Sequence, residues 1–327
     1  MDVDKKSLKV AVLMGGVGEE REVSLQSGKC VSDAMRNAGL NVVVSDITPE
    51  NMEILEDESI DVFFIALHGR FGEDGDLQQI MEDKGLIYTG SGPEASRLAF
   101  DKITSKKAFV KAGINTPVVI EIKNAGDLKH LEKRLQEFAE KYVVKPVRQG
   151  SSVGVSIVSN ASEAVSAAEM VLDEFGDCMI EEFIQGRELT VGVLCGEALP
   201  LIEVRPKAEF YDYHAKYITD STEYLFDTIN DAAMEAEIKQ TAKKCFKALG
   251  LRDMARIDVI VNSDKKIYAL EANTIPGFTT HSLLPKAAAK VGYPMSNLCI
   301  KIIIAAIENK KSKIKNQKCG QCSALEK

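Results

Sequence analysis

The stretch Met254-Ala255-Arg256-Ile257-Asp258-Val259-Ile260-Val261, followed after Asn262–Lys265 by Lys266-Ile267-Tyr268-Ala269-Leu270-Glu271-Ala272-Asn273, reads as a β-hairpin. Strand side chains alternate faces. On the first strand Arg256, Asp258 and Ile260 share one face; Ala255, Ile257, Val259 and Val261 share the other. On the second, Ala269, Glu271 and Asn273 lie opposite Tyr268, Leu270 and Ala272. A turn centred near Asp264 puts position 258 roughly across from 270, which makes Asp258 and Glu271 neighbours. Two carboxylates, an amide oxygen and Arg256 then cluster on one face. Like charges so close repel. An oxygen-only donor set suits Mg²⁺, which is held by one or two carboxylates plus substrate phosphates. A solvated polar face without a ligand is the competing reading.

Upstream, the first hundred residues alternate continuous apolar runs with helical patterns. Val10–Met14, Val42–Val44, Val62–Leu67 and Leu86–Tyr88 read as strands; Val31, Ala34, Met35 and Ala38 follow helical spacing, and Asp76–Lys84 reads as helix. Such runs point to a parallel sheet buried on both faces. Ligands bind beyond the carboxyl ends of strands in these sheets, which draws attention to Gly15–Leu25 and His68–Gly75. The middle of the chain reads as a small α+β unit with an antiparallel sheet. Helices are expected over Ala99–Ala112, Asp127–Lys141 and Ser162–Phe175, and strands over Val118–Ile122, Tyr142–Lys145, Val155–Val158 and Met179–Ile184. Strands Leu189–Cys195 and Leu199–Val204 precede a polar, Tyr-rich loop over Arg205–Asn230, whose length favours a lid. Ala233–Leu249 reads as an amphipathic helix.

Composition narrows the function. The chain has 327 residues, 45% hydrophobic and 28% charged, with a net charge of −8. Disorder is excluded by the apolar content, and no apolar run approaches the roughly 20 residues of a membrane helix. A secretory signal is not expected, since Val10–Met14 is short and runs into Gly15-Gly16. Six lysines and one glutamate give the stretch from Asn309 a net +5, leaving −13 on the rest. An acidic body argues against nucleic acid as partner; the basic tail is expected to be a disordered appendage. Cys30, Cys178, Cys195, Cys245 and Cys299 read as small core residues in a reducing cytoplasm. Cys319 and Cys322 lack the further ligands that a zinc site needs.

Three loops carry chemistry. Arg148–Gly154 is rich in small residues whose N–H groups suit phosphate oxygens, and Lys145 stands beside it; an ordinary tight turn fits equally well. Gly15–Leu25 does not match a dinucleotide fingerprint. Its acidic residues suit an ammonium group, or simply cap the helix. His68 closes a strand and is either structural or functional.

Together the motifs resemble the D-alanine–D-alanine ligases of the ATP-grasp superfamily over about Leu8 to Ile307. They are Glu20–Leu25, His68-Gly69-Arg70 with Gly72–Gly75, Tyr88–Gly92, Gly150–Gly154, Tyr211-Asp212-Tyr213 with Ala215-Lys216-Tyr217, Arg256–Val259, and Glu271–Thr274 running to His281-Ser282-Leu283. The resemblance implies a mixed α/β and α+β fold of three parts, with a Rossmann-like domain and two α+β units sandwiching ATP. The boundaries expected are 1–98, 99–188 and 189–308, with a tail over 309–327.

By the same resemblance, ATP phosphorylates the carboxylate of one D-alanine and the amine of a second attacks the acyl phosphate, for peptidoglycan precursor synthesis. Glu20 would bind the first ammonium, supported by Ser151 and Tyr217, with His68 nearby. Lys102, Lys145 and Lys216 would contact phosphates. Glu181, Glu182, Ile184 and Glu188 would hold adenine and ribose. Asp258, Glu271 and Asn273 would ligate two Mg²⁺ ions, for which Mn²⁺ can substitute. Arg256 and the Gly277 N–H would stabilise the oxyanion, and Ser282 with Leu283 would receive the second carboxylate. A cytoplasmic homodimer acting on small molecules, without nucleic acid or membrane, is expected. Gln149 stands where the family usually has Glu, and Phe226-Asp227-Thr228 where it commonly has Cys-Pro-Ala. Tyr217 is retained, which favours amide formation over use of D-lactate. The alternatives are a ligase with a changed acceptor and a non-catalytic nucleotide-binding paralogue.

Overall fold

A computed structural model describes residues 8–137, 139–206 and 222–324, with no account of the side chains of 206 and 313–324. The expected lid residues Tyr211–Tyr213, Lys216 and Tyr217 lie outside the described residues.

The N-terminal part carries β1 (Lys9–Gly15), α1 (Arg21–Asn37), β2 (Asn41–Ile47), β3 (Val62–Ile65) and α2 (Asp76–Asp83). Its strands are parallel in the order β2-β1-β3. The β1 and β3 segments are fully buried runs, Val10–Leu13 and Val62–Ile65, as a sheet covered on both faces requires. Leu86–Tyr88 was expected as a fourth strand; only Tyr88 pairs, through a single parallel bridge to Phe63.

The expected helix Ala99–Ala112 is two helices, α3 (Pro93–Phe100) and α4 (Lys102–Lys111). Asp101 breaks them apart: its backbone is extended and its carboxylate accepts from Thr104 N–H, capping α4. A four-stranded sheet follows, from β4 (Val119–Ile122), β5 (Tyr142–Lys145), β6 (Ser156–Val158) and β7 (Cys178–Glu182), in the order β4-β7-β5-β6. It is covered by α5 (Leu131–Gln136) and α6 (Ala161–Phe175), whose Ala164, Ala168 and Val171 pack on Val144 and Ile180. The long charged helix expected over Asp127–Lys141 is shorter. A 3₁₀ turn at Ala125–Leu128 is closed by an Asn124–Asp127 capping box, and His130 at φ 60° interrupts the helical run before α5.

The last part has β8 (Gly186–Leu194), β9 (Glu197–Pro206), β10 (Thr222–Leu225), α7 (Ala232–Ala248), β11 (Met254–Asn262), β12 (Ile267–Asn273), α8 (Leu283–Lys290) and α9 (Met295–Ala324). Its antiparallel sheet runs β10-β9-β8-β11-β12. One face packs on α7 and on Ala99 and Phe109 from α3 and α4. The N-terminal sheet shares a second core with α8, α9, Ile275 and Phe278; Phe64 and Phe278 meet edge to face with ring centroids 5.3 Å apart. Among the described residues no single helix is long and apolar enough to cross a membrane.

The basic stretch expected to be a disordered appendage is helical to Ala324, as the continuation of α9. Lys310, Lys311, Lys313, Lys315 and Gln317 are helix formers, and no Gly interrupts before Gly320. Asn309 is engaged: its amide donates to Asp253 at 2.5 Å. Cys195, expected in the core, is exposed at the β8–β9 turn with φ 53°.

Candidate active site

The hairpin forms as expected, with one correction. Pairing follows the turn arithmetic through Val259↔Ala269, then slips by one residue to Asp258↔Glu271 and Arg256↔Asn273. Leu270 is the extra residue of a β-bulge. The bulge reverses the alternation on β12. Ala269 therefore joins Ile267 and Ala272 in the core, not the face of Glu271, while Leu270 and Glu271 both line the cleft. Like-charged side chains thus stand directly opposite each other.

This face forms one wall of a cleft of about 520 Å³, bounded also by the Gln149–Val153 loop, the end of β7 and the N-terminus of α8. Asp258 is 8% exposed; Thr190 Oγ donates to it at 2.6 Å, and Arg256 Nη2 donates at 2.8 Å. Asn273 Oδ1 is buried without a hydrogen-bond partner among the described residues. A buried acceptor left unpaired is costly, and a cation would complete it. Among the described residues no three His, Cys, Asp or Glu side chains cluster at metal distance. Two carboxylates and an amide oxygen instead suit a hard cation that draws its other ligands from water or phosphate. The residues present fit Mg²⁺.

On the opposite wall, Lys102 Nζ donates to Gln149 O at 2.5 Å and lies 3.6 Å from Glu271 Oε2. Lys145, at the end of β5, meets Glu181 at 2.9 Å. Burial works against the Lys145 ammonium, but Glu181 and then Glu271 overcome it and raise its pKa. Glu181 is lowered, because Lys106 and Lys145 outweigh the cost of its burial. Glu182 turns its carboxylate to Val118 N–H at 3.0 Å, while Phe183, Ile184 and Glu188 line the cleft beside it.

Glu20 ends the loop before α1. It makes no side-chain cap to that helix; Ser151 Oγ donates to it across the cleft at 2.5 Å. Glu20 therefore does not cap α1 through its side chain, while Glu22 lies in the first turn of that helix, where a carboxylate favours the dipole. Two glycines make room for the carboxylate: a Cβ at Gly69 would stand 2.6 Å from Glu20 Oε2, and one at Gly150 3.0 Å. Ser151 and Ser152 both have left-handed backbones, φ 52° and 59°, a strain found at ligand-holding loops.

His68 is 5% exposed. Its Nδ1 stands 3.0 Å from Ile275 O and its Nε2 3.0 Å from Ser27 Oγ. A carbonyl only accepts, so Nδ1 carries the proton and Nε2 accepts from Ser27, whose oxygen in turn accepts from Phe278 N–H. Both ring nitrogens are thus engaged in joining the N-terminal part to the 275–278 loop. Ser282 Oγ accepts from Thr279 N–H at 3.0 Å beside Gly277; Ser282 and Leu283 open α8.

Four contributors were missed in the sequence: Glu73, Lys106, Thr190 and Leu270. Glu73 is buried and accepts from Gly69 N–H and Ile275 N–H. Lys106 sits one turn after Lys102 on α4, and that spacing was the available signal. Thr190 faces Asp258 in the β8–β11 register, which no local pattern announces.

Known proteins place this arrangement. The family described as D-ala D-ala ligase C-terminus matches residues 109–304. A D-alanine–D-alanine ligase from Aquifex aeolicus is 43% identical over 91% of this chain and 100% of its own length. One from Syntrophotalea carbinolica is 42% identical, over 91% and 96%. The chain belongs to the D-alanine–D-alanine ligase family. The crystal structure of the Bacillus anthracis ligase complexed with ATP superposes with a TM-score of 0.82, at 35% identity, covering 94% of this chain and 99% of that one. As a family member, this ligase has the ATP-grasp fold that its three sheets describe.

Proposed function

We propose that this ligase joins two D-alanines to D-alanyl-D-alanine, with ATP converted to ADP and phosphate, for the peptidoglycan precursor. The observation that carries the reading is the Asp258–Glu271 pair, with an Asn273 oxygen that has no hydrogen-bond partner among the described residues, in one cleft with Lys102 and Lys145. Full-length similarity to curated ligases supports the same activity.

Phosphoryl transfer needs positioning and charge neutralisation more than a nucleophile on the protein. Lys102 and Lys145 would receive the nucleotide phosphates. The backbone of Glu182–Ile184 and the Glu188 side chain would hold adenine and ribose, with Glu181 behind them. Asp258, Glu271 and Asn273 would hold Mg²⁺ or Mn²⁺, which when bound would neutralise phosphate charge. Glu20, fixed by Ser151, would take the first ammonium.

The carboxylate oxygen of the first D-alanine forms a bond to the γ-phosphorus as the bond to ADP breaks. The amine of the second D-alanine then adds to the acyl carbon. The amine loses a proton, the amide carbonyl re-forms and phosphate leaves. Arg256 and Gly277 N–H would face the oxyanion, and the start of α8 at Ser282 and Leu283 would favour the second carboxylate. His68, with both nitrogens engaged, would set the wall of the first amino-acid site. Lys216 would contact the nucleotide phosphates and Tyr217 would support Glu20 and Ser151. A cytoplasmic homodimer working on small molecules completes the reading. Phosphate release with ATP, Mg²⁺ and D-alanine as the only amino acid tests it; release that requires another acceptor would point to a changed specificity.

A further inference from the structure

A buried cation–anion–cation row lies at the nucleotide end of the cleft. Lys106 Nζ meets Glu181 Oε1 at 2.7 Å, and Glu181 Oε2 meets Lys145 Nζ at 2.9 Å. Lys106 Nζ also donates to Thr116 Oγ at 2.7 Å. Lys106 and Glu181 are each 2% exposed. Glu181 and Lys145 line the cleft, whereas Lys106 does not. The row joins three elements, α4, β7 and β5. Lys102 and Lys106 lie one turn apart on α4, so one helix face sends one lysine to the cleft and one behind it.

The charge count sets the consequence. Burial lowers the Lys106 pKa and the Glu181 carboxylate offsets this in part; with both lysines protonated, the row carries a charge of +1. With Lys106 neutral, the Glu181 carboxylate would cancel Lys145, and the row would add no net positive charge to the cleft. One Glu181 oxygen would also lose its cation in a desolvated site, where an unpaired charge is expensive.

We propose that Lys106 is a positioning residue for the nucleotide: by occupying one oxygen of Glu181 it leaves the Lys145 ammonium oriented and charged toward the ATP phosphates. This rests on the reading of Lys145 as a phosphate contact. Thr116 fixes the Lys106 ammonium and carries no charge of its own.

The test is steady-state kinetics of the purified full chain, with KM measured separately for ATP and D-alanine. Lys106→Gln keeps a donor for Thr116 but removes the charge beside Glu181. KM for ATP rises about tenfold, with KM for D-alanine unchanged. Thr116→Val, which keeps the charge, moves KM for ATP far less. Lys106→Met, checked for folding by circular dichroism, repeats the ATP effect. A folded Lys106→Gln protein with normal KM for ATP, or with equal rises for both substrates, overturns the proposal. A Lys106→Gln protein that does not fold assigns the residue to stability alone and also overturns it. Lys145→Met separates the two readings. If it leaves KM for ATP unchanged, the phosphate assignment fails; if it raises KM while Lys106→Gln does not, only the role of Lys106 fails.

Discussion

Asp258 and Glu271 stand opposite each other in the β11–β12 ladder because Leu270 is bulged out between Ala269 and Glu271. A regular hairpin gives the cleft one residue from that part of β12. The bulge gives it two in succession, an apolar side chain and a carboxylate. The hydrophobic wall and the acidic site are in this way made by adjacent residues.

Leu270→Ala tests that wall. Removing the side chain costs about 1–2 kcal/mol of nucleotide binding, so KM for ATP rises roughly tenfold. Thermal stability changes little, since Leu270 is only half-buried. Unchanged KM for ATP would remove Leu270 from the nucleotide site.

Arg256 tests the oxyanion assignment. Its guanidinium grips Asp258 with Nε and Nη2 at 3.0 and 2.8 Å. Arg256→Met is expected to lower kcat by about 10²–10³, with KM for ATP less affected. A kcat near normal would place the donor elsewhere.

Glu73 gives the fold a pH signature. Burial, and then the charge of Glu20, push its carboxyl up to about 8 from an ordinary 4.5. Folded protein therefore keeps a proton that the unfolded chain has released, and stability falls as pH rises from 4.5 toward 8. His68 is lowered by burial, so its slope has the opposite sign and acts only below 6.5. Between pH 6.5 and about 8 the melting temperature of the wild type should decline. Glu73→Gln should flatten that slope, at lower absolute stability because its NH₂ cannot accept from a backbone N–H. A variant with the wild-type slope would contradict the assignment.

Asn309 ties α9 to the core. Its amide and Gly90 N–H satisfy the two oxygens of Asp253, which burial has pushed up to about 6. Asn309→Ala should cost about 1–2 kcal/mol in denaturant unfolding and leave kcat unchanged. No loss of stability would show the contact to be idle.

Period-two and period-3.6 patterns made much of this fold legible. Val10–Met14 and Val62–Leu67 announced a buried parallel sheet, and Arg256, Asp258 and Ile260 were read on the correct face. What escaped depended on single backbone events or on partners distant in sequence. The bulge at Leu270 left no trace, because an extra apolar residue on a strand looks like any other. The break at Asp101 and the left-handed His130 shortened helices that composition alone extends. The absence of a side-chain cap from Glu20 to α1 could not be read locally, whereas its pairing with Ser151, far along the chain, came only from the resemblance. Lys106 was hidden among Lys102, Lys107 and Lys111, since sequence does not tell a buried lysine from a solvated one.

The most direct test is dipeptide formation by the purified protein with ATP, Mg²⁺ and D-alanine, run beside Glu271→Gln. The wild type should form D-alanyl-D-alanine with one ADP and one phosphate per bond, and the variant, folded by circular dichroism, should form none. No dipeptide from the wild type, or normal yield from the variant, would contradict a site built on Asp258, Glu271 and Asn273.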